Sequence, residues 1–233
     1  MSIEATVAGY YAERAEEYER IYQKPERQAD LRRLRNFVET AFTGADVFEV
    51  ACGTGYWTEI LARSAASVVA MDINEEVLAI ARTKAVAPPK VEFRREDAYA
   101  LPDMSRTFNA GFSGFWWSHI PRARIRRFLE GFHDLLLPGS KVVFIDNAYV
   151  EGNSTPISRS DEDGNTYQIR QLDDGSSHEV LKNFPTESEL HASVDGLGTD
   201  VCVEFLPYYW VLTYVLRADA TRRAGDHSAG YER

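Results

Sequence analysis

The chain has 233 residues and is 44% hydrophobic, which is enough apolar material for one substantial core and predicts a single globular unit. Its formal net charge is −10, so we expect no nucleic-acid partner, because that affinity depends on lysine and arginine neutralising phosphates. Cys52 and Cys202 lie far apart and predict no disulfide framework. No signal-peptide layout or bilayer-length apolar run is present, so we expect a cytoplasmic protein without a membrane partner.

Two helices are predicted ahead of the first strand. The first covers residues 1–23, where aromatic side chains recur at helical spacing: Tyr10, Tyr11, Tyr18 and Tyr22. It either packs on the domain or closes over it as a lid. Pro25 interrupts the pattern, and a second helix is predicted over residues 28–42.

A strand, a glycine turn and a helix start follow one another after residue 46. The run 47–51 predicts a strand that is buried on both faces, and Gly53-Thr54-Gly55 predicts a tight turn before a helix that begins at Tyr56. This succession is typical of the nucleotide-binding half of a doubly wound α/β domain. An adenine dinucleotide would require a third glycine at position 58, where Thr58 stands, which disfavours NAD.

Strands and helices then alternate, which predicts a mostly parallel sheet with helices on both faces. Further strands are predicted at 67–72, 91–95, 108–115 and 141–146, with helices at 75–84 and 122–137. The pattern then changes to a loop (147–163), a hairpin (166–183), a helix (185–197) and two strands (200–206 and 208–216) that should pair antiparallel.

Four markers in this order resemble the class I S-adenosylmethionine-dependent methyltransferases. They are Glu49-x-Ala51-Cys52-Gly53-Thr54-Gly55, Asp72 after the second strand, Asp97 after the third, and Leu137-Pro138-Gly139 before the fifth. The resemblance covers roughly residues 45–146. It implies a Rossmann-like fold, with a mostly parallel seven-stranded sheet, an antiparallel C-terminal strand and here an inserted β-hairpin flap, and S-adenosylmethionine as cofactor.

The resemblance also implies a role for each marker. The glycine turn approaches the methionine part of the cofactor, Asp72 accepts from both ribose hydroxyls, and Asp97 accepts from the adenine amino group; one carboxylate has the acceptors that each role needs. Tyr11 and Arg14 resemble a Tyr-x-x-Arg-Ala segment whose lid reaches the cofactor carboxylate. The predicted cofactor-binding residues are Tyr11, Arg14, Glu49, Ala51, Gly53, Gly55, Trp57, Asp72, Ile73, Glu96, Asp97, Ala98 and Phe115.

His119 follows the fourth strand, at the edge of the sheet where ligands bind in such folds. It is a candidate catalytic base, or a packing residue ahead of Pro121. Methyl transfer from a sulfonium is an in-line displacement, so a base is needed only if the acceptor still carries its proton. Trp116 and Trp117 line the pocket or the core beneath it.

The basic residues of the hairpin are either a candidate anion clamp or ordinary surface charge on an edge hairpin. If Asp173-Asp174-Gly175 is a three-residue loop, Arg170 lies opposite His178 and Lys182 shares that face; a two-residue turn would separate the two cations. Three further segments resemble bacterial phosphonate O-methyltransferases. They are Gly55-Tyr56-Trp57-Thr58, His119-Ile120-Pro121, and Leu172 to Ser177 with downstream Lys182 and Phe184, although Phe115, Trp117 and Glu179 depart from that pattern.

Together these patterns predict methyl transfer to an oxygen of a small acidic metabolite, a phosphonate or a carboxylate. The predicted acceptor contacts are Tyr22, Trp116, His119, Arg170 and Lys182, with no metal. Alternatives are an N- or C-methyltransferase that uses His119 as base on a neutral molecule, a non-catalytic cofactor-binding protein, and an NAD-dependent oxidoreductase.

We expect one domain (1–217) with a helical lid (1–43), a flap (147–184) and a flexible tail (218–233), as a monomer or homodimer.

Overall fold

The computed structural model of the protein describes residues 3–15, 17–84, 90–101, 104 and 106–218. The helices are α1 (Ile3–Glu13), α2 (Gln28–Ala41), α3 (Tyr56–Ser64), α4 (Glu75–Thr83), α5 (Ile125–His133) and α6 (Glu187–Ser193). The strands are β1 (Asp46–Val50), β2 (Ser67–Asp72), β3 (Val91–Arg95), β4 (Phe108–Gly114), β5 (Leu136–Asn147), β6 (Arg159–Ser160), β7 (Thr166–Gln171), β8 (Ser177–Leu181), β9 (Gly198–Phe205) and β10 (Tyr209–Leu216). None of the helices in these ranges has an apolar stretch of the length that a bilayer crossing requires.

Seven strands form the main sheet in the order β3-β2-β1-β4-β5-β10-β9. The first five pair in parallel, and β10 pairs antiparallel with both β5 and β9. This confirms the predicted mostly parallel sheet with one antiparallel strand. The strand order reverses between β1 and β4, which opens a crevice at the carboxyl ends of the strands.

The sheet is buried on both faces because its central strands are almost continuously apolar. On one face, Phe48 and Phe144 pack against the α5 residues Phe128 and Phe132. On the other face, side chains of α2 and α3 cover the sheet: Leu31, Leu34, Val38, Ile60 and Leu61. Two apolar layers therefore hold the crevice edge rigidly from both sides.

A small antiparallel sheet, in the order β6-β7-β8, lies beside the crevice. Arg170 pairs with His178 across β7 and β8, and the Leu172 N–H donates to the Ser176 carbonyl at 3.0 Å. Gly175 has φ +85°, the left-handed conformation that a three-residue loop requires. The predicted hairpin and its register are therefore present, and β6 adds a short third strand within the segment predicted as loop.

Three predicted helices are shorter than expected, and the one predicted over 185–197 covers only Glu187–Ser193. The helix predicted over 1–23 ends at Glu13, and a separate 3₁₀ helix, Tyr18–Gln23, stacks the ring of Tyr22 against Tyr56 and Phe115. The helix predicted to reach residue 137 ends at His133, because Leu136 pairs with Phe108 and joins β5. The predicted tail lies outside the described residues from 219 onward.

Substitutions at two glycines test the packing between β4 and α5. A Cβ on Gly111 would lie 2.7 Å from Cζ of the buried Phe132 and 2.8 Å from Cδ1 of Leu136, whereas a Cβ on Gly131, within α5, would meet nothing within 4 Å. We expect Gly111→Ala to lower the free energy of unfolding by about 1–3 kcal/mol through overpacking. Gly131→Ala should raise it by up to about 1 kcal/mol through helix propensity. Urea denaturation measures both, and equal stability of the two variants would contradict the described packing.

Candidate active site

A cavity of about 310 Å³ lies at the carboxyl ends of β1, β2 and β4. We call it the sheet-end cavity. Ten of the residues predicted from the sequence line it: Tyr11, Ala51, Gly53, Asp72, Ile73, Asp97, Ala98, Phe115, Trp116 and His119. Side chains from α1, the crevice loops and the segment after β4 thus converge on one space.

The backbone takes unusual conformations where it borders this cavity. Ala51 and Phe115, directly after β1 and β4, have φ +54° and +63°, values that cost energy for residues with a side chain. Gly53 has φ +55°, and a Cβ there would meet only Tyr18 Cε1, at 3.8 Å. A Cβ on Gly55 would lie 3.0 Å from Ala81 Cβ. Gly53 therefore keeps the cavity open for a ligand, whereas Gly55 allows α3 to begin against α4.

Asp72 and Asp97 both face the sheet-end cavity. The Asp72 carboxylate accepts from the N–H of Gly53 at 2.9 Å and from the N–H of Asn74 at 3.0 Å. Burial raises the pKa of Asp72, although these backbone hydrogen bonds oppose the shift. Asp97 is exposed and accepts from the Tyr99 N–H at 2.8 Å. Each acid retains free lone pairs, so both are able to accept from a ligand.

Other predicted cofactor residues lie behind the cavity wall. Glu49 is 1% exposed and accepts from Thr58 Oγ1 at 2.6 Å. Trp57 is buried against Gly114, where a Cβ would lie 2.5 Å from its ring. The Glu96 N–H donates to the Asp72 carbonyl at 3.0 Å. These residues support the lining of the cavity without forming its surface.

A second cavity of about 330 Å³ adjoins the first, and Tyr11, Tyr18 and Phe115 line both. We call it the cationic cavity. Five basic side chains line it: Arg14, Lys24, Arg27, Arg170 and Lys182. Its described lining contains no carboxylate, which is unexpected in a chain of net charge −10. The other predicted acceptor residue on this side, Tyr22, is buried between Tyr56 and Phe115.

A buried polar network fixes the base of the cationic cavity. Lys182 Nζ lies 3.1 Å from Asp146 Oδ1 and donates to Ser118 Oγ, and Asp146 Oδ2 accepts from the Ser118 N–H at 2.9 Å. Burial opposes ionisation of Asp146, but Lys182 holds the pKa of this carboxyl below its usual value. Asp146 therefore stays ionised and neutralises Lys182.

His119 joins this network to the sheet-end cavity. Nδ1 lies 2.7 Å from the Leu181 carbonyl, which only accepts, so Nδ1 carries the proton and Nε2 accepts from the Tyr11 hydroxyl at 2.7 Å. Burial and the nearby Lys182 lower the pKa of His119 well below its usual value. The imidazole is therefore neutral, and its free lone pair is occupied by Tyr11.

Sequence similarity independently places the chain among methyltransferases. A family model described as a methyltransferase domain matches residues 47–139. The solved structure "DhpI-SAH complex structure" has a TM-score of 0.73 and 30% identity, covering 92% of this chain and 97% of that chain. A second structure of the same protein, "DhpI-SAM-HEP complex", has a TM-score of 0.73 and 29% identity, covering 91% and 97%.

Two curated relatives match a shorter stretch. A 2-phytyl-1,4-naphtoquinone methyltransferase of Thermosynechococcus vestitus is 32% identical over 106 residues, 44% of this chain and 46% of the relative. A demethylmenaquinone methyltransferase of Lactococcus lactis is 30% identical over 129 residues, 53% and 50% of the two chains. The chain thus spans about half the length of the curated relatives it matches.

The fold and the sheet-end cavity define a nucleotide-type cofactor site at the reversal of a doubly wound sheet. With the similarities above, the chain belongs to the class I S-adenosylmethionine-dependent methyltransferases, and its cofactor is S-adenosylmethionine. The residues present fit that group: Gly53 leaves open space, and Asp72 and Asp97 offer acceptors for hydroxyl and amino groups.

Several lining residues were not predicted as site residues. Tyr18 lines both cavities, and Lys24, Arg27, Asn147 and Asn153 line the cationic cavity. Tyr18 belongs to the aromatic stripe that predicted the first helix, so a sequence signal existed for it. Asn147 ends β5 and Asn153 follows it in a segment without periodicity, and only the folded structure brings them against residues 24–27.

The buried Glu49 gives a prediction about stability. Burial raises the pKa of Glu49 from 4.5 to about 8, although Thr58 opposes the shift. Ionisation therefore favours the unfolded chain, and the penalty grows between about pH 4.5 and pH 8. Without cofactor, Glu49→Gln should raise the free energy of unfolding by about 3–5 kcal/mol at pH 8.5 and change it little at pH 4.

The matched control is Glu59→Gln, which removes an exposed carboxylate from α3. It should change the free energy of unfolding by less than about 0.5 kcal/mol at both pH values. Guanidinium denaturation at each pH measures the difference. If the effect of Glu49→Gln were the same at pH 4 and pH 8.5, the carboxyl would not be held neutral by burial.

Proposed function

We propose that the protein transfers the methyl group of S-adenosylmethionine to an oxygen of a small acidic molecule, a phosphonate or a carboxylate. The cationic cavity carries this proposal, because five basic side chains and no carboxylate line a space that adjoins the sheet-end cavity. Buried cations without counterions are costly, and an anionic ligand offsets that cost.

Arg170 and Lys182, on one face of the hairpin, are the basic residues that would attract an anionic acceptor. Asp146 offsets the charge of Lys182 and holds its ammonium in place. Arg170 donates from Nε to Gln168 Oε1 at 3.1 Å, and among the described residues no carboxylate lies within 4.0 Å of its guanidinium. Arg170 therefore contributes net positive charge, and Lys182 contributes a positioned hydrogen-bond donor for an oxyanion.

An acceptor that is already ionised needs no general base. When bound, S-adenosylmethionine supplies a methyl group on a positively charged sulfonium, whose sulfur takes up the electron pair of the broken C–S bond. The residues of this chain then have to align the acceptor oxygen with the methyl carbon and to exclude water. Tyr11, Tyr18 and Phe115, which line both cavities, are placed to perform them.

His119 fits a positioning role in this scheme. Its Nε2 is occupied by the Tyr11 hydroxyl and its Nδ1–H by the Leu181 carbonyl, so it fixes Tyr11 between the two cavities. The alternative, a neutral acceptor with His119 as base, requires Tyr11 to leave Nε2. The relatives include a quinone methyltransferase, which is a reason to test this alternative. The basic side chains of the cationic cavity instead favour an acidic acceptor.

Arg170→Ala tests the anion clamp. We expect kcat/KM for acidic acceptors to fall about 100-fold, since a hydrogen bond to a charged group contributes about 1.5–3 kcal/mol. Arg159→Ala is the control, because Arg159 lies on the same small sheet, is exposed and pairs with Glu179 outside the cavity. The measurement is methyl transfer across a panel of phosphonates, carboxylates, phenols and amines, with the affinity for S-adenosylhomocysteine as a check on folding.

The clamp would be excluded if Arg170→Ala retained wild-type turnover of every acidic acceptor. Preferential methylation of phenols or amines by the wild type would support the neutral-acceptor alternative instead.

His119→Gln separates positioning from base catalysis. The glutamine amide retains an oxygen that accepts from Tyr11, so for an ionised acceptor we expect a fall in kcat of less than about tenfold. Loss of a general base would lower kcat by about 10²–10⁴-fold. Single-turnover rates with a phosphonate measure the chemical step, and a fall within that larger range would assign His119 as the base.

A further inference from the structure

Arg27 is the strongest unexplained feature of the cationic cavity. Its side chain is buried, with 7% of the residue exposed, and it is the residue directly before α2. Its guanidinium donates to the amide oxygens of Asn147 at 3.1 Å and Asn153 at 2.6 Å. It also lies over the rings of Tyr208 and Tyr209, 5.2 and 5.7 Å from their centroids. Neutral groups therefore hold this cation, and none of them cancels its charge.

Two carboxylates close to Arg27 in the sequence accept hydrogen bonds from other groups, and neither forms an ion pair with Arg27. Asp30, one turn further along the chain, accepts from the Tyr208 N–H at 2.9 Å. Glu26 is exposed and accepts from Asn153 Nδ2 at 2.8 Å. Within the described ranges, no carboxylate oxygen lies within 4.0 Å of the cationic groups of Arg27 or Lys24. In addition, Arg27 Nε is buried without a hydrogen-bond partner among the described residues.

Lys24 adds a second positive charge beside Arg27 in the lining of the cationic cavity. It is half-buried, three residues before Arg27, and lines the cavity with it. Burial lowers the pKa of Lys24, the proximity of Arg27 adds to that effect, and Glu26 opposes it; Arg170 and Arg14 lower it further by smaller amounts. The two cations thus repel each other across a space that a bound anion would stabilise.

This pair is distinct from the Arg170–Lys182 clamp. Lys182 joins through Asp146 and Ser118 to the segment that carries His119, on the wall shared with the sheet-end cavity. Arg27 is fixed by Asn147, the last residue of β5, and by Asn153 and Tyr208, which lie between β5 and β10. Asn147 also donates from Nδ2 to Asp146 Oδ1 at 3.1 Å, so the two pairs of cations line one cavity side by side, each held by its own side-chain partners.

We propose that Lys24 and Arg27 form a second anion subsite, so that the acceptor is a small molecule with two acidic groups. This inference rests on the proposed function. The group that receives the methyl sits at Arg170 and Lys182, and a second carboxylate or phosphonate of the same molecule sits at Lys24 and Arg27, next to the orphaned Arg27 Nε. The remote group sets the orientation of the acceptor and selects diacids over monoacids.

The test compares two probes of nearly the same shape, 3-phosphonopropionate and its neutral amide 3-phosphonopropionamide. Calorimetry on the full chain saturated with S-adenosylhomocysteine measures the affinity for each. We expect the diacid to bind at least tenfold more tightly than the amide. Lys24→Met should remove most of that difference while changing the affinity for the amide less than threefold, because the amide makes no charged contact at the remote subsite.

Arg170→Ala should instead weaken both probes by a similar factor, because both carry the phosphonate. Arg27→Lys keeps a charge in the buried position and should retain part of the preference for the diacid, which guards against a variant that only unfolds. Equal wild-type affinities for the diacid and the amide, or an unchanged preference in Lys24→Met, would overturn the second subsite. Failure of the wild type to bind either phosphonate, with no effect of Arg170→Ala on acid turnover, would instead reject the proposed function.

Discussion

The hydrogen bond from the Gly53 N–H to the Asp72 carboxylate is the interaction on which the site depends. It joins the turn after β1 to the end of β2, so two adjacent parallel strands present one surface. The same carboxylate accepts from Asn74 and fixes the start of α4. A buried carboxylate is expensive unless it is hydrogen-bonded, and these two backbone donors offset the cost while leaving lone pairs for a ligand.

Charge is distributed unevenly around this framework. The chain is strongly acidic, yet basic side chains from three separate parts of the sequence line the cationic cavity: residues 14–27, β7 and the residue directly after β8. Only Lys182 among them has a carboxylate partner within the described residues. Such an arrangement lowers the stability of the empty protein, and folding tolerates it because two well-packed layers hold the sheet.

The sequence predicted the sheet and the crevice at its carboxyl edge, because both follow from local patterns. Buried strand runs, a glycine turn and acids after strands identify the carboxyl edge without any knowledge of distant contacts. The sequence left the hairpin register open between a three-residue loop and a two-residue turn, and the structure has the three-residue loop, with Gly175 at φ +85°. The contact between Arg27 and Asn153 was not predictable, because it depends on the packing of residues far apart in the chain. The early end of α5 was missed because tertiary pairing of Leu136 with Phe108 outweighs helical periodicity.

We expect Asp72, beside the glycine turn, to accept from the ribose hydroxyls of S-adenosylmethionine. Calorimetric titration of S-adenosylhomocysteine into wild type, Asp72→Asn and Glu92→Gln tests this expectation most directly, since Glu92 is exposed on β3 and lies away from the cavity. We expect one molecule to bind per chain, Asp72→Asn to weaken binding at least tenfold, and Glu92→Gln to leave it unchanged. Equal affinities in all three proteins, or tighter binding of NAD than of S-adenosylhomocysteine, would contradict the account.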